Sequence, residues 1–196
     1  MDKTIEYYNK NAKEYVNKTI ELDMKSVYEH FTKHLGINAQ ICDLGCGSGR
    51  DSKYFISQGF FVTPIDGSVE LCKLASIHLG QDVMCLKFDE LNFVNKFDAI
   101  WACSSLLHVP KIELGNIINR LVLASKENAV IYACFKYGNS EKILNGCLFS
   151  DYNQEELLSI VSKFKSLKLI EIWLSDDVRN SKNTQWINII VSVDKW

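Results

Sequence analysis

Three glycines at alternate positions, Gly45, Gly47 and Gly49, follow a short apolar run in the stretch ICDLGCGSGR. Asp43 precedes the first of them by two residues. Glycines at this spacing allow positive φ and a close approach of the backbone to a ligand, and the free N–H groups that open the next helix favour an anionic group. A carboxylate beside them favours a cation such as an ammonium group. The turn therefore predicts a ligand that carries charges of both signs.

The common nucleotide-binding motifs fit this turn poorly. A phosphate loop requires Lys and then Ser or Thr after its last glycine, where this chain has Arg50 and Asp51, and the dinucleotide fingerprint requires a glycine at position 50. Asp66 follows Gly45 by 66 − 45 = 21 residues, which is close to the ~20-residue offset at which an acid binds a ribose diol. The ligand that fits is an amino-acid zwitterion joined to a nucleoside, which is the shape of S-adenosylmethionine.

Length and composition indicate a single domain without a global charge bias. The chain has 196 residues, of which 47% are hydrophobic and 23% charged, and its formal net charge is -2. This size supports one core, and the charge provides no basic field for nucleic acid. No apolar run approaches the ~20 residues of a membrane span, and the N-terminal stretch has no apolar signal core. We therefore expect a cytoplasmic protein.

Seven cysteines are distributed along the chain without a CxxC pair. Most of them lie within apolar, strand-like runs, where cysteine usually behaves as a small buried hydrophobe. This pattern fits neither a disulfide framework nor a zinc site. We therefore predict free thiols and no bound metal.

Apolar periodicity predicts strands that alternate with helices. The predicted strands cover residues 39–44, 60–65, 82–88, 97–105, 128–135, 167–174 and 184–193. The predicted helices cover residues 24–35, 50–57, 68–79 and 154–164, a further helix begins at Pro110, and a loop covers 137–152. This order is typical of right-handed βαβ crossovers. The predicted fold is α/β: a Rossmann-like single domain with a mostly parallel twisted sheet, helices on both faces and a C-terminal antiparallel hairpin.

Four motifs in order carry a family resemblance. The stretches ICDLGCGSGR, VTPIDGS, LKFDEL and FDAIWACSSLLHV resemble successive motifs of the class I S-adenosylmethionine-dependent methyltransferases over residues 5–135. The glycine turn and the compact tail are most similar to the small-molecule branch that includes tellurite-resistance methyltransferases. The resemblance implies one methyltransferase domain over residues 1–196, with an N-terminal helical lid at 1–36 and a Rossmann-like core at 37–196.

The resemblance also implies a set of cofactor contacts along the first four strands. These are Asp43, Gly45, Cys46 and Gly47 at the methionine end, Asp66 at the ribose, Gly67 and Ser68 beside the adenine, Phe88 and Asp89 near its ring and amino group, and Ala102 beneath the cofactor. Asp43 and Asp66 have an alternative role as caps of a turn and a helix. Arg50 is predicted to reach a cofactor or substrate carboxylate, with a surface ion pair to Asp51 as the alternative.

Three further residues are candidates for the catalytic step. Tyr8 and Tyr15 are one heptad apart on a helical face, and the resemblance implies a lid with these rings near the sulfonium, against an alternative of core packing. His108 follows the fourth strand and is predicted either to take a proton from the acceptor or to pack in the core. Lys136 follows the fifth strand and is predicted to face the acceptor, with a solvated loop as the alternative. The candidate catalytic residues are His108, Tyr15 and Lys136.

The predicted activity is methyl transfer from S-adenosylmethionine to a small-molecule acceptor by SN2 displacement, which gives S-adenosylhomocysteine. An RNA or tRNA methyltransferase is one alternative, although the sequence has no basic, aromatic run for such a substrate. A non-catalytic module that retains the cofactor fold is the other. We expect a monomer or homodimer without a membrane or nucleic-acid partner.

Overall fold

A seven-stranded sheet forms the centre of the computed structural model, which describes residues 2–179 and 184–195. The strands are β1 (Gln40–Leu44), β2 (Phe61–Asp66), β3 (Met84–Cys85), β4 (Phe97–Ala102), β5 (Ser125–Lys136), β6 (Glu141–Leu144), β7 (Cys147–Ser150), β8 (Leu167–Asp176) and β9 (Gln185–Val193). The helices are α1 (Asp2–Thr19), α2 (Lys25–Thr32), α3 (Arg50–Ser57), α4 (Val69–Leu79), α5 (Leu114–Ala124) and α6 (Gln154–Ser162). The sheet has the order β3-β2-β1-β4-β5-β9-β8, and β6 pairs with β7 in a separate hairpin.

The direction of the strands confirms the predicted α/β fold. Strands β1 to β5 are parallel, while β9 runs antiparallel to both β5 and β8. The carboxyl ends of β1, β2, β4 and β5 therefore lie along one edge of the sheet, which is where ligands bind in open α/β folds. No helix among the described residues is long and apolar enough to cross a membrane.

Both faces of the sheet are covered by helices. Because successive strand residues point to opposite faces, Trp101 and Tyr132 pack with α2 and α3 in one apolar cluster, while Ile100 and Ile131 pack with α5 and α6 in the other. The rings of Trp101 and Tyr132 stack with centroids 4.1 Å apart. The near-continuous apolar runs of β4 and β5 are those expected of strands buried on both faces.

Several predicted elements differ from the observed ones. The strand expected at 82–88 is only β3, because the chain turns into a short 3₁₀ segment at Phe88–Glu90. The strand expected at 97–105 ends at Ala102. The helix expected from Pro110 begins at Leu114 of α5, because the residues before it form a turn in which the Pro110 carbonyl accepts the N–H of Glu113. The helix expected at 24–35 is the shorter α2.

The predicted loop at 137–152 is wrong, because this segment contains the β6–β7 hairpin. Its two-residue turn is Asn145 and Gly146, whose φ values are 53° and 87°. Asn-Gly is the strongest sequence signal for a type I′ turn, in which both central residues have positive φ. The signal was present in the stretch ILNGCLF.

Candidate functional site

The glycine turn between β1 and α3 allows two side chains to approach the backbone closely. Gly45 and Gly47 have φ values of 77° and 55°. A Cβ atom at Gly45 would lie 2.5 Å from Cβ of Ser105, and one at Gly47 would lie 3.0 Å from the ring of Tyr15. Both positive φ and lack of space therefore require glycine at these two positions.

Asp66 ends β2 and binds the turn that follows β1. Its carboxylate oxygens accept the backbone N–H groups of Gly47 at 2.9 Å and of Ser68 at 2.8 Å. Burial raises the pKa of Asp66, while backbone N–H groups that include that of Gly67 oppose this rise. Ser68 also caps α4 by accepting the N–H of Leu71. Asp66 therefore organises the turn, and its remaining lone pairs are free for hydroxyl donors.

The region around Asp66 is a small cavity, which we call the inner pocket. It is lined by Thr4, Ile5, Tyr8, Tyr15, Gly45, Gly47, Asp66, Gly67, Ser68, Leu71, Leu86, Lys87, Phe88, Ser104, Ser105 and His108. Ser105 is 4% exposed, and its Oγ is without a hydrogen-bond partner within the described residues. A buried hydroxyl without a partner at a pocket wall fits a polar ligand group that would satisfy it.

Helix α1 covers the inner pocket. The Tyr8 hydroxyl bonds Nε2 of His108 at 2.9 Å, Oγ1 of Thr4 accepts the N–H of Leu148 at 3.1 Å, and Oδ1 of Asn9 accepts the Ser68 hydroxyl at 2.7 Å. The remaining cavity volume is about 70 Å³, well below the ~300 Å³ at which small-molecule pockets begin. In this arrangement α1 leaves space for only part of a nucleoside-sized ligand.

His108 is buried between α1 and the hairpin. Its Nδ1 lies 2.6 Å from the carbonyl oxygen of Leu148, and because a carbonyl only accepts, Nδ1 carries the proton and Nε2 accepts from Tyr8. Burial lowers the pKa of His108 to about 4, although the Leu148 carbonyl opposes this shift. The imidazole is therefore neutral near pH 7, and its accepting nitrogen is occupied by the Tyr8 hydroxyl.

Four of the residues implied as cofactor contacts do not line the inner pocket in this arrangement. Asp43 is 2% exposed and accepts the hydroxyl of Ser52 at 2.6 Å. Burial and the nearby Asp51 carboxylate raise the pKa of Asp43 to about 8. Cys46 and Ala102 are buried, whereas Asp89 is exposed. Because its pKa is raised, a cationic group placed near Asp43 would stabilise the charged form of this carboxylate.

Arg50 and Asp51 form an ion pair that is buried rather than at the surface. The guanidinium Nε and Nη2 atoms donate to the two carboxylate oxygens at 2.6 and 3.0 Å. The Tyr28 hydroxyl at 2.5 Å and the Trp101 Nε1–H at 2.9 Å complete the set of donors to Asp51. Burial alone would raise the pKa of Asp51, but Arg50 outweighs it and lowers the value. Nη1 of Arg50 also bonds the carbonyl of Thr19 at 3.2 Å.

A larger cavity, which we call the outer pocket, adjoins the inner pocket and has a volume of about 590 Å³. Tyr8, Tyr15, Ser104 and His108 line both cavities. The outer pocket is bordered by α1, by the start of α2, by the hairpin and by the ends of β5, β8 and β9. Its remaining lining residues include Arg50, Cys103, Tyr132, Cys134, Lys136, Cys147, Phe149, Asp177, Arg179, Trp186 and Asn188.

The cations of the outer pocket differ in how they are paired. Arg179 donates to both carboxylate oxygens of Asp177 at 2.9 and 2.6 Å, and this lowers the pKa of Asp177 to about 2. Arg50 is held by Asp51 in the same way. Lys136 forms no ion pair within residues 2–179 and 184–195, and its Nζ lies 3.9 Å from the centre of the Phe149 ring. Desolvation lowers the pKa of Lys136. An anionic ligand group near Lys136 would therefore stabilise its charged form.

The structure thus brings most of the predicted residues to one edge of the sheet. Of the predicted residues, those that line the inner pocket are Tyr8, Tyr15, Gly45, Gly47, Asp66, Gly67, Ser68, Phe88 and His108, and those that line the outer pocket include Arg50 and Lys136. Sequence reasoning missed Thr4, Asn9, Ser105 and Asn188. Ser105 stood within the quoted motif FDAIWACSSLLHV, whereas Asn188 lies in β9 and had no local signal.

A family model described as a methyltransferase domain matches residues 41–128. No curated protein matches the sequence. Among solved structures, the Burkholderia thailandensis 1,6-didemethyltoxoflavin-N1-methyltransferase, with bound 1,6-didemethyltoxoflavin and S-adenosylhomocysteine, is 18% identical with a TM-score of 0.78, over 97% of this chain and 85% of that one.

Two further solved structures share the fold. The magnesium protoporphyrin IX methyltransferase of Synechocystis PCC 6803, with bound S-adenosylmethionine, is 15% identical with a TM-score of 0.75, over 99% of this chain and 98% of that one. The cyclase SpnF is 14% identical with a TM-score of 0.73, over 96% of this chain and 94% of that one.

These findings show one domain and the fold of the chain. Residues 41–128 match a methyltransferase domain, and the chain shares the Rossmann-like fold of solved S-adenosylmethionine-dependent methyltransferases. The predicted methyltransferase domain is thus confirmed over residues 41–128, and the predicted fold is confirmed as well.

Proposed function

We propose that the protein transfers a methyl group from S-adenosylmethionine to a small-molecule acceptor by SN2 displacement and releases S-adenosylhomocysteine. The observation that carries this proposal is the junction of two pockets at the ligand edge of the sheet. Asp66 and the glycine turn line the inner one, and Tyr8, Tyr15, Ser104 and His108 line both. Shared walls support a donor and an acceptor in contact with each other, which is the main requirement of a displacement reaction.

The residues of the inner pocket suit the parts of this cofactor. We assign the ribose hydroxyls to Asp66, because its carboxylate retains free lone pairs. The orphan Oγ of Ser105 beside Gly45 suits a further polar group of the ligand. Tyr8 and Tyr15 would present aromatic rings to the sulfonium. When bound, the cofactor supplies an activated methyl group, and the chain aligns it and excludes water.

The lid role of α1 is part of this proposal. With α1 in the observed position the inner cavity is too small for the whole cofactor, so entry requires Tyr8 and Tyr15 to move away from His108 and Gly47. The polar contacts of α1 through Thr4, Tyr8 and Asn9 are a few hydrogen bonds, each worth about 0.5–1.5 kcal/mol net. Such contacts suit a helix that opens and closes over a ligand.

A small acceptor is supported by the dimensions and charge of the outer pocket. Its volume of about 590 Å³ lies within the ~300–1,000 Å³ range of small-molecule sites. Arg50 and Arg179 are neutralised by their own acids, so the pocket lacks the unpaired basic cluster that a polynucleotide requires. The solved toxoflavin and protoporphyrin enzymes act on small molecules by their names. A cytoplasmic location and closer similarity to the tellurite-resistance type belong to the same proposal.

Labelled cofactor tests the activity directly. Protein incubated with methyl-labelled S-adenosylmethionine and either a metabolite extract or total RNA is expected to label the small-molecule pool only. Asp66→Ala, which lacks the carboxylate proposed to bind the ribose hydroxyls, serves as the control and is expected to transfer less label. Label in RNA would replace the proposal by an RNA methyltransferase.

A cofactor-binding protein without methyl transfer is the second candidate, because the cyclase SpnF shows that this fold is not confined to proteins named as methyltransferases. Calorimetry with S-adenosylhomocysteine separates the two. Heat on binding, together with no label in any pool, would favour this second candidate.

A further inference from the structure

Two thiols lie side by side in the floor of the outer pocket. Cys134 is 3% exposed within β5, Cys103 follows β4, and their sulfur atoms are 4.0 Å apart. The preceding residues, Ala102 and Ala133, are direct partners in the parallel pairing of the two strands. Neighbouring strands lie about 4.8 Å apart, which is within the ~4.4–6.8 Å span of Cα atoms that a disulfide joins. The pairing of β4 with β5 therefore brings the two sulfur atoms together at the ends of neighbouring strands.

Ser104 directs hydrogen-bond donors at one of the two sulfurs. Its φ of 53° is in the left-handed region, which is uncommon for a residue other than glycine. In this conformation the backbone N–H of Ser104 lies 3.1 Å from Sγ of Cys134, and its hydroxyl oxygen lies 3.5 Å from the same atom. Both groups stabilise negative charge on sulfur, so Cys134 is the better thiolate of the pair.

The ionisation of the two thiols follows this asymmetry. Burial opposes the ionisation of Cys134, but donors from Cys103 and Ser104 outweigh it and lower the pKa of Cys134 to about 7. The hydrogen bond to Cys134 and burial raise the pKa of Cys103. Cys147 lines the same pocket, yet burial raises its pKa to about 11. The chain thus contains an internal reference thiol with the same access and without such donors.

We propose that Cys134 is a modification site for hydroperoxides and that Cys103 is its resolving thiol. The Cys134 thiolate attacks the terminal peroxide oxygen, the O–O bond breaks, and the leaving oxygen takes up from solvent the proton that the thiol released on ionisation, so that it departs as water or an alcohol and leaves a sulfenic acid on Cys134. The Cys103 sulfur then attacks the Cys134 sulfur, the S–O bond breaks, and water leaves with the Cys103 proton. Two thiols are oxidised to one disulfide and one peroxide is reduced.

The outcome of this chemistry is a changed pocket floor. Cys134 lies between Tyr132 and the end of β5, and it pairs across β5 and β9 with Asn188. The disulfide would draw its sulfur from 4.0 Å to about 2.05 Å from that of Cys103. The site therefore couples the acceptor pocket to oxidants, and thiol reductants would restore it. This inference does not depend on methyl transfer.

Peptide mass spectrometry after exposure to hydrogen peroxide tests the proposal. In the wild-type protein a peptide linked through Cys103 and Cys134 is expected, with loss of two hydrogens and reversal by dithiothreitol. In Cys103→Ser, which keeps a hydrogen-bonding group at position 103, dimedone is expected to trap a sulfenic acid on Cys134 at least about tenfold faster than on Cys147 at pH 7, because the backbone N–H and the hydroxyl of Ser104 lie at the Cys134 sulfur. The rate of trapping should rise with pH, because the thiolate is the form that reacts with the peroxide.

Two controls keep the test decisive. Cys147→Ser should form the linked peptide as the wild type does, and Cys134→Ser should form none. Circular dichroism melts verify that each variant is folded, and Cys103→Ala replaces Cys103→Ser if the latter is not. Trapping at Cys147 or at the exposed Cys85 that equals trapping at Cys134, or no linked peptide in the wild type, would overturn the proposal.

Discussion

The inner and outer pockets share four lining residues but are built by different means. The inner pocket presents two crowded glycines and the acid Asp66, whose positions are set by the ends of β1, β2 and β4. The outer pocket presents side chains from distant parts of the chain, among them Tyr132, Asn188 and Lys136. A backbone-defined site suits one constant ligand, whereas a side-chain-defined site can change its ligand through a few substitutions. We therefore expect substitutions in the two pockets to affect different measurements.

The largest expected effect is on the free energy of unfolding, and it concerns the buried ion pair between Arg50 and Asp51. Asp51→Asn removes the charge that four donors from Arg50, Tyr28 and Trp101 surround, and it leaves Arg50 without a counter-ion in the interior. Removing one partner of a buried ion pair costs about 3–5 kcal/mol. Urea unfolding should show this loss, whereas Glu70→Gln, which breaks an exposed helix pair with Lys73, should leave the midpoint unchanged. Equal midpoints for the two variants would refute a structural role for Asp51.

His108, at the boundary of the two pockets, predicts a pH dependence of stability. Its folded pKa of about 4 is below the ~6.5 of an unfolded histidine, so between these values the unfolded chain binds a proton that the folded chain does not. The free energy of unfolding should therefore fall as the pH is lowered from 6.5 towards 4, by about 1.4 kcal/mol per pH unit from this group. His108→Gln should remove that part of the slope in urea titrations. An unchanged slope would show that His108 is accessible to protons in the folded state.

The next effect, on ligand affinity, is expected in the inner pocket. Asp66→Ala removes the acceptor of two backbone N–H groups and of the proposed ribose bonds, and should weaken S-adenosylhomocysteine binding by at least ~1–3 kcal/mol. Asp89 was also predicted near the adenine but is exposed, so Asp89→Ala should change the affinity by less than about 0.5 kcal/mol. Calorimetry compares the two. Equal affinities would contradict the assignment of the ribose to Asp66.

The smallest effect is expected in the outer pocket. Lys136→Met removes a half-buried cation without an ion pair in the described chain, and should raise KM for an anionic acceptor about tenfold, which corresponds to about 1.4 kcal/mol. Lys136→Arg keeps the charge and should recover most of the loss. Affinity for S-adenosylhomocysteine should be the same in all three proteins. A change in that affinity would mean that the two pockets cannot be varied separately.

The difference between the two pockets also explains which parts of the site could be predicted from the sequence. The glycine turn and Asp66 lie in short motifs after strands, and parallel strands bring such motifs to one edge, so the inner pocket was predictable. Asn188 reaches the site only because β9 pairs antiparallel with β5, and that register is fixed by long-range packing. Cys103 and Cys134 were expected to behave as buried hydrophobes, since their separation of 4.0 Å depends on the pairing of two strands. The Asn145-Gly146 hairpin was a local signal that the interpretation as a loop overlooked.

Leu148 in the β6–β7 hairpin contacts both the lid and the histidine behind it. Its N–H binds Thr4 of α1, its carbonyl binds His108, and its neighbours Cys147 and Phe149 line the outer pocket. An acceptor that presses on the hairpin would thus act on the same residue that fastens the helix over the donor. If α1 acts as the proposed lid, acceptor binding and lid opening would depend on each other through this one residue.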